Sequence, residues 1–284
     1  MQAIANFVMK GRLQAGVVVL VCSILPLLFW ISAAVVGLIT MRRGINEGAI
    51  LLIAAIVPSV IWAQSVQDPT SLFVIATTWG MAVVLRQTVS WEKALFVGAG
   101  LAVLSIVLLP IVSADLLNQL VAFGVELFRQ LNPERIQELG ENVDSVVRNM
   151  MIGSLAVSYA MFATMSLMLA RAWQAKLFNP GGFRKEFHQF RLSRASATLS
   201  VISVLVLSSL GDQNAVFAFA LLIPLGFAGL ALIHGSVARK NLSKGWLVWF
   251  YVISLIIGPS LIVLLVLLAV MDSWIDVRSR IRVD

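Results

Sequence analysis

Charge is scarce in this chain, histidine and tyrosine scarcer still, and cysteine almost absent. Only 12% of its 284 residues are charged, against roughly 25% in soluble domains, which excludes a water-facing globule. The lone Cys22 excludes an intramolecular disulfide and any cysteine cluster for zinc or iron-sulfur. Lying inside an apolar run, it reads as a small buried or lipid-facing residue. The two histidines, His188 and His234, have no HExxH or spaced Cys/Asp partner, so no metal set is legible. Gly181-Gly182 lacks the lysine and preceding strand of a phosphate loop, and the serines form no GxSxG. Asp272 and Asp276 stand four apart beside Arg278 and Arg280, a spacing that reads as a salt-bridged helix end. No catalytic residue, metal or cofactor is therefore expected, and the chain is read as a non-enzyme.

What the chain has is hydrophobic length. Sixty per cent of it is hydrophobic and the mean hydropathy is +0.94. Apolar segments cover 13–41, 46–63, 70–85, 94–112, 149–170, 198–210, 214–234 and 246–271. Continuous runs near 20 residues cross a bilayer as helices, because the backbone must satisfy its own hydrogen bonds there; a β-barrel needs short alternating strands. The expected fold is all-α, a polytopic transmembrane helical bundle of eight to ten membrane segments in a single domain, 1–284. The range arises at Pro26 and at Gly258-Pro259, where a long segment either bends or turns back. Lys10 and Arg12 before the first segment imitate a signal peptide. No small-residue cleavage pattern follows before Arg42, so a retained helix is expected.

Basic residues collect in alternate gaps. Arg42 and Arg43, then Arg86 and Lys93, then Arg171 through Arg194, then Arg239, Lys240 and Lys244 make thirteen cations that should face the cytoplasm. The gaps 64–69, 113–148 and 211–214 hold only Arg129, Arg135 and Arg148, with six acids in the long one, and should face outward. This pattern explains the net charge of +7 without nucleic acid, as the topology of a multi-pass membrane protein. A helical hairpin divided at Pro26 would put Lys10 and Arg12 on the side of Arg42 and Arg43, and is preferred. Residues 2–12 would then extend its first helix. The side of Arg278, Arg280 and Arg282 stays open.

Two segments stand outside the spans. In 113–148, Leu116, Leu117, Leu120, Phe123 and Leu127 recur at helical spacing before Asn132-Pro133, and Glu134, Glu138, Glu141 and Asp144 follow. That predicts an outward amphipathic helical hairpin, read as a cap on the bundle or as a lid over a ligand. In 173–197, Asn179 to Gly182 reads as a turn. Beyond it Phe183, Phe187 and Phe190 alternate with Arg184, Lys185, His188 and Arg191. Such a cytoplasmic helix suits the lipid headgroup layer, or a groove on a membrane or cytoplasmic protein partner.

Ionisable residues fall at span ends (Glu47, Arg86, Glu92, Arg171, Asp212), which disfavours a mid-membrane proton relay. Recognition of a small-molecule ligand would fall to uncharged groups: Trp30, Trp79 and Tyr159 inside, with Trp62, Gln64, Gln213 and Asn214 at the outer rim. Trp30 and Trp79 equally serve helix packing. Small residues four apart, as at Ala33 and Gly37 or Ala156 and Ala160, allow close helix contact.

The chain resembles the YybS-like family of bacterial multi-pass membrane proteins. The likeness is carried by Met41-Arg-Arg-Gly44 with Gly48, by Ile233-His-Gly-Ser-Val-Ala-Arg-Lys240, and by Met271-Asp-Ser-Trp-Ile-Asp-Val-Arg278-Ser-Arg280. Arg43-Gly44-Ile-Asn-Glu-Gly48 after a proline-broken segment is also distantly similar to the substrate-binding S subunits of energy-coupling-factor transporters, which have fewer segments. The resemblance implies a solute-binding or transport component, with a pocket between Trp62, Trp79 and the 211–214 turn. The alternative is a non-catalytic membrane partner or assembly factor acting through the 183–191 helix.

Overall fold

A computed structural model of the protein describes residues 2–25, 27–131, 133–134 and 140–281. Pro26, Asn132, Arg135, Glu138 and Arg282 fall outside the described residues, as do the side chains of Glu141, Asp212 and Pro259. The described residues hold helices and no strand, which establishes the all-α bundle.

The first apolar segment folds back on itself. Helices α2 (Arg12–Ile24) and α3 (Phe29–Arg43) pack together, and Ser32 Oγ donates to the Val19 carbonyl at 3.1 Å. Arg12 pairs with Glu47 just past α3, and Arg43 donates to the Met9 carbonyl at 2.6 Å. Both basic pairs thus lie at one end, as the hairpin reading expects. Residues 2–12 do not lengthen α2: Gly11, in extended backbone, separates it from a short helix α1 (Gln2–Lys10) that buries Ala5 and Val8. Glycine breaks the helix there because it loses the most backbone entropy on becoming helical.

Helix α3 sits at the centre, and every residue from Ser32 to Met41 is buried. Gly44, at φ +123°, lets the chain reverse in one residue into α4 (Ile45–Val66), a conformation a side chain would resist. After α4 come α5 (Thr70–Thr88), α6 (Trp91–Val112), α7 (Ala114–Leu131) and α8 (Val143–Phe178). Beside α3 run α5 and α8, all three in the same direction. Arg86 of α5 donates to the Met41 carbonyl at 2.5 Å, and Phe73 stacks on Tyr159 of α8 at 5.2 Å. Gly37 faces Thr78 and Ala170, so small residues bring three backbones close, the contact that apolar solvent favours. Thr78 Oγ1 satisfies itself at the Val74 carbonyl, 2.7 Å away.

Beyond α8 lie α9 (Gly182–Gln189), α10 (Arg194–Ser209), α11 (Asp212–Arg239), α12 (Gly245–Ile257), α13 (Leu261–Ile275) and α14 (Val277–Arg280). Among the described residues four helices, α4, α6, α8 and α11, are long and apolar enough to span a membrane alone, and a fifth span arises if α9 and α10, bent by 60°, count as one. Of the remaining expected segments, α5 has 19 residues, whereas α2, α3, α12 and α13 have 13 to 15, about 20 Å of helix against a hydrocarbon core of about 30 Å.

The last segment also turns back, at the 3-10 turn Gly258–Ser260. Gly226 faces Ile262, and Gly229 lies against the Leu265 backbone, so α13 descends beside the second half of α11 in the same direction. Arg278 and Arg280 therefore share the end of Arg239 and Lys240, which resolves the side left open by the sequence.

Helix α7 forms, but its packing differs from the expected stripe. It turns Leu117, Val121, Val125 and Phe128 toward α8 and leaves Phe123 and Leu127 exposed. Of the stripe read from the sequence, Leu117 is buried and Phe123 and Leu127 are left for lipid, because periodicity reports apolarity and not which apolar neighbour covers it. The second, polar helix expected after Asn132-Pro133 falls largely on 135–139, outside the described residues; Pro133 and Glu134 are helical, Gly140–Asn142 is a 3-10 turn, and Asp144 lies in the first turn of α8.

All basic gaps meet at one end. Arg42 stacks on Phe178, 3.7 Å from its ring, Arg171 pairs with Glu186, and Glu92 accepts from Ser193 Oγ at 2.9 Å.

Candidate functional site

The basic end is organised around α9. Asn179 ends α8, its carbonyl accepts from the Gly182 amide at 3.0 Å, and the turn expected at 179–182 folds the chain under the bundle. There the aromatic face of α9 meets its own protein. Phe183 lies 5.9 Å from Trp91, Phe187 and Phe190 lie 5.3 and 5.1 Å from Phe227, and Phe190 is 7% exposed. The three phenylalanines thus pack between α6, α9 and α11, Phe190 buried and Phe183 and Phe187 half-buried. A helical aromatic stripe reveals an apolar face, and only the fold reveals that Trp91 and Phe227 cover it.

Polar contacts lock this packing. Glu186 accepts from Arg171 Nε at 2.9 Å and from Trp91 Nε1 at 3.3 Å. Arg278, which the sequence placed at a helix end, reaches the free carbonyls at the end of α9: it donates to His188 O at 2.5 Å and Phe190 O at 2.6 Å. Such carbonyls lack intrahelical donors. Asp272, 1% exposed, lies 3.1 Å from Arg278 Nε. The salt-bridged helix end is real for that pair, but Asp276 takes Arg191 at 2.9 Å instead of Arg280. The sequence reading missed Trp91 and Phe227 as the cover of α9, and missed that Arg278, with Asp272, clamps the end of α9; the one available signal was an aspartate closing a long apolar run six residues before an arginine.

Under α9 opens a cavity of about 500 Å³, bounded by Lys185, His188, Gln189 and Arg191, by Gly235, Ala238 and Arg239, and by Asp276, Arg278 and Ser279. Arg191 and Arg278 are paired with Asp276 and Asp272. Lys185 and Arg239 have no acid partner among the described residues, so the rim carries uncompensated positive charge. The expected interface residues accordingly divide: Arg184 and Lys185 stay exposed, His188 and Arg191 line the cavity, and Phe183, Phe187 and Phe190 do not take part.

Burial, followed by the cations Arg184 and Arg278, holds the His188 imidazole below its ordinary pKa. His234 of α11 faces it with ring centroids 6.5 Å apart and meets Tyr251 Oη at 2.8 Å. Folding thus favours neutral His188. At pH above the ordinary histidine range this has no effect on stability, and as pH falls through that range the unfolded chain gains the proton first and the fold loses stability. The apparent Tm in detergent should fall between pH 7 and pH 5, and less steeply in His188→Gln; equal slopes would contradict this.

The opposite end offers less room. Trp62 borders a cavity of about 10 Å³ with Ser23, Leu25, Phe29, Asp68, Thr70 and Ser71, enough for one water. Trp30 Nε1 donates to the Leu27 carbonyl at 2.9 Å. Trp79 and Tyr159 pack in the core, with Trp79 Nε1 and the Tyr159 hydroxyl unpaired. Gln64 and Gln213 are exposed, and Asn214 Nδ2 donates to Leu210 O at 3.1 Å. Helix α4 packs on α2, α3 and α5, whereas α11 packs on α6, α8, α10 and α13. The pocket expected between Trp62, Trp79 and 211–214 is therefore not formed: the buried α3, α5 and α8 fill the space between its walls. Among the described residues no three His, Cys, Asp or Glu side chains come close enough to hold a metal ion.

A family model described as "Predicted membrane protein (DUF2232)" matches residues 13–273. No curated protein and no solved structure matches the chain. The chain belongs to this family, a multi-pass helical membrane protein whose exposed apolar helices contact lipid.

Proposed function

We propose that this member of the family is a non-catalytic binding component of the bacterial cytoplasmic membrane, whose working surface is its basic end. There α9, the end of α11 and the C-terminal turn receive an anionic group. The observation that carries this reading is the 500 Å³ cavity with Lys185 and Arg239 unpaired at its rim. Ligand sites occupy roughly 300–1,000 Å³. Cations placed without acids lower the energy of an incoming anion, and the two flexible side chains can close on it.

Titrating the purified full chain with pyrophosphate at constant ionic strength tests this. A ligand at about a hundred times its Kd adds about 2.7 kcal/mol of stability, so the wild type should melt several degrees higher, and Lys185→Gln/Arg239→Gln should not respond. A wild type indifferent to the anion overturns the reading.

The second reading, a solute-binding or transport component, is favoured by one feature. Short hairpins interrupted at 25–28 and at Gly258–Ser260 stand in the two halves of the chain, and broken helices of that kind frame substrate sites in secondary transporters. On this reading too the basic-end cavity, and not the outer rim, is the place for an anionic solute.

A further inference from the structure

Resting on the reading that the basic end receives an anion, we propose that the ligand is the phosphate headgroup of an anionic phospholipid from the leaflet in which that end lies, its acyl chains running along α12. Three observations converge. The cavity is far larger than a bare phosphate and carries its unpaired cations on two different elements, Lys185 on α9 and Arg239 at the end of α11, a placement that lets both reach the oxygens of one phosphodiester. Basic pockets between membrane helices on the cytoplasmic side suit such headgroups.

The second observation is the apolar surface that adjoins the cavity. Helix α12 has no buried residue; it starts five residues beyond Lys240, and its Tyr251 meets His234, which faces the cavity's His188. A headgroup held at Lys185 and Arg239 therefore has an open apolar wall beside it. A soluble anion would make no use of that wall.

The third is depth. Trp246 and Trp249, 61% and 66% exposed, begin α12, and Trp274 closes α13 beside Thr198, 3.2 Å away. Exposed indoles at helix ends mark the membrane interface, the level at which lipid phosphates lie. Lys185 as a point charge and Arg239 as a planar fork then provide ionic and bidentate contacts.

Native mass spectrometry of the delipidated full chain tests the assignment, with phosphatidylglycerol, phosphatidylcholine, glycerol phosphate and an acidic polyglutamate peptide as separate probes. One phosphatidylglycerol should bind at least ten-fold more tightly than phosphatidylcholine or glycerol phosphate. Lys185→Gln/Arg239→Gln should lose that preference, and the charge-conserving Lys185→Arg/Arg239→Lys should keep it. Both pairs replace exposed side chains and should melt like the wild type when lipid-free. Glycerol phosphate binding as well as the lipid, or the peptide binding in its place, overturns the lipid assignment and leaves the anion reading standing. Equal retention of both lipids overturns it too. Failure of every anionic probe together with an unresponsive melting point in pyrophosphate overturns both.

Discussion

Replacing Arg278 by alanine is expected to destabilise the protein by about 3–5 kcal/mol, the range for breaking a buried ion pair from one side. The change leaves Asp272 charged in an apolar setting and strips His188 and Phe190 of the donor to their carbonyls. The loss should be read as a lower melting temperature in detergent and as faster proteolysis at residues 179–193, because α9 is held down from its far end by this guanidinium. Arg278→Lys should recover little, since one ammonium cannot reach two carbonyls and a carboxylate at once. The paired change Asp272→Leu/Arg278→Met should recover much of the stability, because it removes the stranded charge as well as its partner. It should not recover anion binding. If Arg278→Ala melts like the wild type, the C-terminal turn does not anchor the cavity.

The second large effect is expected at Gly229→Ala. A Cβ there would overlap the Leu265 carbonyl, lying 2.8 Å from its carbon and 2.9 Å from its Cα. Backbone cannot rotate aside as a side chain can, so α13 must move away from α11. Overpacking of a tight contact costs about 1–3 kcal/mol, and the upper end applies here. Gly100→Ala provides the contrast: nothing lies within 4 Å of that position, so the same change in α6 should stabilise by up to about 1 kcal/mol through helix propensity alone. Similar melting shifts for the two variants would mean that α11 and α13 are not in contact.

Much of the architecture was legible in the sequence, for a definable reason. Solvation dominates in a bilayer, so apolar length located the spans and cation placement located the ends. The turn at 179–182 and the hairpin before Arg42 followed from proline, glycine and charge. What stayed hidden was which apolar surface meets which. Phe183, Phe187 and Phe190 form the same stripe whether lipid, a partner or Trp91 and Phe227 cover it. Likewise Trp79 and Tyr159 looked like the lining of a pocket, and the close approach of α3, α5 and α8 through Gly37, Thr78 and Ala170 turned that volume into core. The grip of Arg278 on α9 was hidden for another reason. Its partners are main-chain carbonyls some 90 residues away, and a sequence carries no signature for those.

Every basic gap, the 239–244 link and the C-terminal turn gather at one end of the bundle. With Cys22 replaced by alanine, single cysteines at Gln87, Gln189, Ser243 and Ser279, all exposed at that end, and at Gln64, Gln130 and Gln213, exposed at the other, can be labelled with a membrane-impermeant maleimide in intact cells and in inverted vesicles. The first four should react only in inverted vesicles and the last three only in intact cells. Labelling of Ser279 or Ser243 from the side that labels Gln64 would contradict the shared end, and with it the cavity.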